Sequence, residues 1–473
     1  MSTLQTRTRF SEPHSKSRLV KDIAPILDHG RWTGYQKLVL LLVSLVAMLD
    51  GLDSRVLALS LPSIVREWGV ARSAFVPIFA GSFIAMALGA LVGGVAGDRI
   101  GRRWTLIGSV TAFGATTLVG AYAHDLWSLS VWRILASAGL GAAMPNITTL
   151  LAEYTPIKRR SVALSVCISA LIVGKVGAGL LGARLLPHAG WRALFVASGL
   201  LPLALAAVLW VILPESLRFL AARKPDSATA RRLLRRLGHT LVPGARLVDN
   251  GPLVTAVPRA SIRSLVSGEY GRDTLWLSLS FFAIFLSTYT VSTWLPSLLT
   301  DAGYSLAMAS ASTSVFGLGG LICGIGGAWT FSRLGSRVPL MTLAIGAAVT
   351  TLALSTVSFA PEGGTRWAST LGIFLVGAIP GVQVAIFVLA AEMFPTTVRA
   401  TGVGVATAFG RLGAVFSAFV GPPLLAVGAH AYFGFLTATM TVAALSLALI
   451  RRHVARGFVA RQQQPIDASP AGG

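Results

Sequence analysis

Along its length the chain carries twelve stretches of mostly apolar residues, each reaching the roughly 20 residues that a helix needs to cross a bilayer's hydrocarbon layer. They fall at about 36–60, 75–97, 104–122, 127–152, 161–187, 191–213, 275–299, 307–331, 338–358, 367–391, 401–427 and 431–450. The runs are rich in Gly, Ala and Leu and continuous. They lack the period-two alternation of a barrel strand, so the expectation is an all-α polytopic membrane protein. The longest polar break, 214–274, separates six spans from six. The expected organisation is therefore a tail (1–35), a six-helix bundle (36–213), an interdomain loop (214–274), a second six-helix bundle (275–450) and a second tail (451–473).

Charge supplies the orientation. The chain has 40 Lys+Arg against 18 Asp+Glu, a formal net charge of +22, yet charged residues make up only 12% and hydrophobic ones 54%. That charged share is about half of what a soluble domain carries, which excludes an ordinary soluble enzyme, a coiled coil and a disordered acidic protein. With both termini placed in the cytoplasm, 31 of the 40 basic residues fall in cytoplasmic segments and only Arg66, Arg72, Arg184, Arg192 and Arg366 fall in outer loops. This is the positive-inside bias. It directs the charge at anionic lipid head groups and not at a nucleic acid. Cys167 and Cys323 are far apart and form no metal or disulfide spacing, so no metal and no cofactor is expected. The polar N-terminus has no apolar core of signal-peptide type. Phosphate-cradling, HExxH and nucleophile-elbow motifs are missing, which argues against an ATP-driven pump and against hydrolytic chemistry.

The two halves repeat. GGVAGDRIGRR (93–103) corresponds to GAWTFSRLGSR (327–337), and AEYTPIKRRS (152–161) to AEMFPTTVRA (391–400). The second pairing aligns Glu153 with Glu392, Pro156 with Pro395 and Arg160 with Arg399. Related halves of this kind place a solute path at their interface, near the membrane midplane.

Four basic and two acidic residues interrupt the spans, where charge costs roughly 2.5–3.5 kcal/mol each and marks function. Asp50 and Asp53 stand three apart, on one face of a helix. Two neighbouring carboxylates at low dielectric do not both ionise readily, so the pair suits proton exchange; the alternative is pairing with cations such as Arg55. Arg133 and Arg411 can each present a paired donor set to a carboxylate, or hold helices together as buried ion pairs. Lys175 lies among glycines (GKVGAGLLG), where backbones approach closely and a long side chain can reach a cavity. The alternative for Lys175 is to snorkel to the cytoplasmic surface. RRLLRR at 231–236 reads as an amphipathic helix on the inner leaflet.

Gly97-Asp98-Arg99-Ile100-Gly101-Arg102-Arg103 resembles the loop motif of the major facilitator superfamily, as does Arg133 followed by Gly139 and Gly141. Within it the chain resembles the aromatic acid:H+ symporters. That resemblance rests on Asp50-Gly51-Leu52-Asp53, GLGAAMPNITTLLAEYTPIKRRS (139–161), PESLRFL (214–220), EMFPTTVRATGVG (392–404) and Gly410-Arg411-Leu412-Gly413. It implies twelve helices in two halves, alternating access, and proton-coupled uptake of a hydroxybenzoate-like acid by a monomer in a bacterial inner membrane. Asp50 and Asp53 would carry protons, with Arg411, Arg133, Lys175, Asn146, Gln383 and Trp294 as substrate contacts. Gly97, Asp98, Arg99, Gly101, Arg102 and Arg103, with Glu153–Arg160 and Glu392–Arg399, would form a conformational latch. Asp98 would accept hydrogen bonds from a neighbouring helix N-terminus. Three positions depart from the pattern: Arg55 after the acidic pair, Lys175 in span 5, and Ser332 where the first loop has Asp98. Rival readings are an exporter, a carrier of another anion (a dicarboxylate, muconate, nicotinate, phenoxyacetate or a drug-like compound), and a sensor built on a carrier fold.

Overall fold

A computed structural model describes residues 20–30, 32–223, 228–237, 246–248, 270–357, 359, 365–394 and 398–453. Each of the twelve apolar segments falls on helix. The first half holds α2 (Gly34–Trp68), α3 (Val76–Ile100), α4 (Arg102–Gly120), α5 (Leu126–Tyr154) and α6 (Ile157–Ile212). The second holds α9 (Gly271–Asp301), α10 (Leu306–Leu334), α11 (Arg337–Thr356), α12 (Thr365–Val376), α13 (Ala378–Met393), α14 (Arg399–Val427) and α15 (Ala429–Leu449). Among the described residues, nine helices are long and apolar enough to cross a membrane; α2 and α4 fall outside that set.

Local chemistry sets the breaks. α2 starts on a capping box in which Thr33 accepts from the Gln36 amide and Gln36 accepts from the Thr33 amide. The 56 residues of α6 would extend about 84 Å as one rod, more than twice the hydrocarbon thickness. Gly190, with φ 72°, breaks the rod between the fifth and sixth expected spans. The tenth span is interrupted at Gly377, because Pro380 has no N–H to offer the carbonyl four residues before it.

Backbone-to-backbone packing through glycine builds each half, and does so twice in the same pattern. A Cβ on Gly174 of α6 would lie 1.8 Å from the Met48 carbonyl of α2, and one on Gly141 of α5 would lie 2.0 Å from Met86 O of α3. In the second half Gly413 of α14 meets Phe282 O of α9 at 2.3 Å, and Gly319 of α10 meets Phe374 O of α12 at 2.0 Å. The fifth span thus seats on the first and the fourth on the second, and the eleventh and tenth repeat this on the seventh and eighth. The sequence repeat is a structural one.

Between the halves, Arg55 Nη1 donates to Ser292 O (2.7 Å), Ser314 Oγ donates to Val176 O (2.7 Å), and Phe79 meets Trp294 edge-on at 5.4 Å. Arg72 grips both carboxylate oxygens of Asp301. These ties lie toward the ends of the helices remote from the Asp98–Arg103 loop.

The polar segments outside the bundles differ from expectation. β1 (Val20–Asp22) pairs in parallel with β2 (Arg246–Val248), and α1 (Ala24–His29) packs with α7 (Leu217–Arg223) and α8 (Ala228–Arg236). Ile23, Leu27, Leu217, Leu220, Leu233 and Leu234 form their shared core. The leucines of RRLLRR therefore face protein and not lipid, which corrects the reading of α8 as a leaflet-bound amphipath. Asp28, 4% exposed, is the electrostatic centre of this subdomain. It accepts from Arg218 Nη2 on both oxygens (2.9 Å each) and from Arg160 Nη2 (3.1 Å). Replacing Asp28 by Ala removes the carboxylate shared by Arg160 and Arg218 and should weaken the subdomain by roughly 1–3 kcal/mol. Trypsin should then cut at the arginines of α8 several times faster, with the bundle's melting temperature little changed; proteolysis time courses on the purified protein check this.

Candidate functional site

A cavity of about 220 Å³ lies between the two halves. Its wall is built from α2 (Asp50, Ser54, Arg55), α3 (Ser82, Phe83, Met86), α5 (Arg133, Ser137, Met144) and α6 (Leu171, Lys175), closed by Tyr289, Ser292 and Thr293 of α9 and Arg411 of α14. This is smaller than the roughly 300–1,000 Å³ of pockets for drug-sized ligands, and suits a single-ring solute. Tyr289 and Phe83 meet edge-on at 4.8 Å, giving the cavity an aromatic wall. Ser54, Ser82, Ser137 and Thr293 bring hydroxyls to it.

The two aspartates part company here. Positions three apart on a helix differ by about 60° around its axis, enough for one to face the cavity and the other a neighbouring helix. Asp53 is fully buried, accepting from Thr117 Oγ1 (2.7 Å) and from Arg133 Nη1 (2.8 Å), while Arg133 Nη2 bonds the Asp53 carbonyl (3.0 Å). Asp50 lines the cavity and has no hydrogen bond or ion pair among the described residues; Lys175, Arg411, Arg133 and Asp53 are its charged neighbours. Arg55 is not the partner of either carboxylate: it reaches across to Ser292 O and lies 5.8 Å from the Phe316 ring centre.

Lys175 lines the cavity and does not snorkel. The glycine-rich packing explains its reach, since Gly174 and Gly51 press α6 and α2 together beside it. Arg411 also lines the cavity, with a buried Nη1 that has no acceptor among the described residues. Arg133 touches the wall, but its guanidinium is engaged by Asp53.

Three expected substrate contacts sit elsewhere. Asn146 is buried between α5 and α3, donating to Gly93 O and Ala142 O (2.9 Å each). Trp294 donates to Ser417 O (3.0 Å) and packs α9 on α14. Gln383 of α13 is not on the cavity wall. Polar or aromatic character inside a span does not reveal which way the helix is turned, whereas the rims of the glycine contacts do.

The latch residues gather at one end of the first half. Asp98 pairs with Arg102 of its own loop (2.5 Å), and Arg102 Nε lies 3.9 Å from Glu153. Arg99 is exposed. Arg160 does not join Glu153, as expected, but holds Asp28. Nor does Asp98 cap the following helix. Glu215 does, accepting from the Arg103 amide (3.2 Å) and the Ser216 amide (2.9 Å). Burial raises the Glu215 carboxyl above the usual carboxylate range, against the pull of these amides and of Arg103. Arg103 also donates to Trp210 O, and Tyr154 Oη to Glu215 O (2.6 Å). A Cβ at Gly97 would lie 2.0 Å from Asn146 Oδ1 and displace that side chain, and Gly101, with φ 107°, holds a backbone conformation that favours glycine beside Glu215. Glu392 ends α13, while the side chains of Arg399 and Ser332 lie outside the described residues, so the second-half copy of this network does too.

A path between two repeated bundles, carrying charge at mid-span, is the plan of a membrane carrier. The family model of the Major Facilitator Superfamily matches residues 43–418. The chain belongs to that superfamily. It is a multi-pass membrane transporter and not an enzyme, and its relatives are named for carriage of aromatic acids. It is similar to the gallate transporter of Pseudomonas putida, 36% identical over 439 residues, covering 92% of this chain and 96% of that one. It is similar too to the 4-hydroxybenzoate transporter PcaK of Pseudomonas putida, at 34% over 425 residues (90% and 94% covered). The niacin transporter NiaP of Acinetobacter baylyi matches at 30% over 418 residues (87% and 93%). Among solved structures, the inward open conformation of the xylose transporter XylE from E. coli superposes with a TM-score of 0.70 at 20% identity, covering 89% of this chain and 97% of that one. That likeness is one of fold.

The division between the aspartates has a measurable consequence. Asp53→Ala leaves Arg133 buried and unpaired and should cost about 3–5 kcal/mol. Asp50→Asn, which breaks no bond, should change stability by less than about 1 kcal/mol. Thermal unfolding of the detergent-purified variants measures the difference; equal losses would contradict the assignment.

Proposed function

We propose that the protein imports a small aromatic carboxylate together with protons, by alternating access across a bacterial inner membrane, as a monomer. The observation that carries the reading is the cavity between the halves. It has a single-ring volume, an aromatic wall of Tyr289 and Phe83, cations at Lys175 and Arg411, and one unpaired carboxylate, Asp50. The similarity to transporters of gallate and 4-hydroxybenzoate supports the choice of acid.

In this reading the substrate carboxylate takes the guanidinium of Arg411 as its anchor, with Lys175 beside it, and the ring lies against Tyr289 and Phe83. Asp50 takes up and releases the coupled proton. Asp53 with Arg133 holds α2 and α5 in register beneath it. With the basic loops in the cytoplasm and twelve crossings, both termini are cytoplasmic. The ties from Arg55, Ser314 and Arg72 then close the outer side, and the conformation is inward-facing. Asp98, Arg102 and Glu153 form a latch for the opposite state, at rest here within their own half.

Two experiments test these roles. Asp50→Asn should abolish accumulation of labelled 4-hydroxybenzoate driven by a pH gradient in membrane vesicles, while exchange across the membrane without a gradient persists; undiminished concentrative uptake would falsify proton coupling at this residue. Asp98→Asn should slow uptake about tenfold or more but shift substrate Kd less than about threefold, because a latch changes state populations and touches no substrate. A changed order of preference among acids, with turnover intact, would remove Asp98 from the latch.

A further inference from the structure

The cavity's fixed charge does not match a singly charged acid. Arg133 is neutralised by Asp53. The remaining cations on the wall are Arg55, Lys175 and Arg411, and none has a carboxylate within salt-bridge distance among the described residues. Asp50 is the one carboxylate on the wall among the described residues. Three cations against one carboxylate leave two positive charges in excess. A proton taken by Asp50 enlarges that excess. Buried cations without counter-ions are costly at low dielectric, and an anion that enters with the solute is the natural remedy.

Arg55 is the residue that creates the second excess charge. It is 6% exposed and stands on the wall at the junction of the halves. Its Nη1 bonds Ser292 O at 2.7 Å, and its guanidinium carbon lies 5.8 Å from the Phe316 ring centre. The Ser292 carbonyl is available because the residue four further on is Pro296, which has no N–H with which to close the helical bond. A neutral carbonyl and a ring face hold the guanidinium in place and leave its charge uncompensated. No other hydrogen bond from this guanidinium exists among the described residues, so its remaining N–H groups are open to a ligand.

We infer that Arg55 is a second anion contact and that the site takes aromatic acids bearing two negative groups, such as a benzene dicarboxylate, in preference to those bearing one. One group would lie at Arg411 and Lys175 and the other at Arg55, with the ring between them. This rests on the proposed carriage of an aromatic acid and narrows its substrate class.

The test is titration calorimetry on the full-length protein in detergent at pH 7, with benzoate, benzene-1,2-, 1,3- and 1,4-dicarboxylates, and the monomethyl ester of each dicarboxylate. At least one dicarboxylate should bind about tenfold or more tightly than both benzoate and its own monoester, which has the same ring and one charge fewer. In Arg55→Gln that ratio should fall to within about threefold of one, and Arg55→Lys should retain part of it. If benzoate binds and no dicarboxylate exceeds its monoester, the charge inference fails and the proposed carrier function stands. If none of the acids binds, both fail. The comparison of acid with ester in the parent protein decides the matter even where the Gln variant does not fold.

Discussion

Within a bilayer the helices gain nothing by hiding apolar surface from lipid, so close contact of backbone with backbone has to hold the bundle together. Here that contact is made at glycine, at Gly174 against Met48, Gly141 against Met86, and the corresponding pairs in the second half. The rest of the site depends on it. Seating α6 directly on α2 brings Lys175 beside Asp50, and seating α5 near α2 lets Arg133 reach Asp53. A methyl group at Gly174 would meet a carbonyl that cannot move aside without shifting the helix that carries the aspartates.

Against this frame the charges divide into two kinds. Asp53 and Arg133 satisfy each other, with Thr117 as a further donor, and form a rigid post inside the first half. Asp50, Lys175, Arg411 and Arg55 face the cavity with no salt bridge among the described residues and with cations in excess. A buried pair that is complete contributes position, whereas charges left incomplete contribute binding. Three positions along one helix separate the two functions.

Much of this was legible in the chain itself. Span positions, the break at Gly190 and the repeat of the halves follow from apolar length and from glycine spacing, whereas the choice for Lys175 between a cavity and the cytoplasmic surface stayed open until the packing was seen. The facing of Asn146, Trp294 and Gln383 did not, because rotation about a helix axis is set by packing partners that hydropathy does not name. Asp28 and Glu215 were missed as polar anchors for a different reason. Each lies in a polar segment where a carboxylate has no cost to betray it, and each takes a bond from an arginine more than a hundred positions away. The acceptor of Arg55, by contrast, left a readable trace, since a proline in a span always frees the carbonyl four residues before it.

The pairing of β1 with β2 bears on how the protein is made. Val20 meets Arg246, about 226 positions later, so β1 stays without its partner until the whole first bundle has been synthesised. At about 5–20 residues per second the wait is on the order of 10–45 s. During that interval Ile23 and Leu27 have no cover, and Asp28 lacks Arg218. Completion of the small subdomain thus marks the moment at which the first half is finished, and a nascent chain stalled earlier would display an apolar N-terminal segment to chaperones and proteases at the membrane surface.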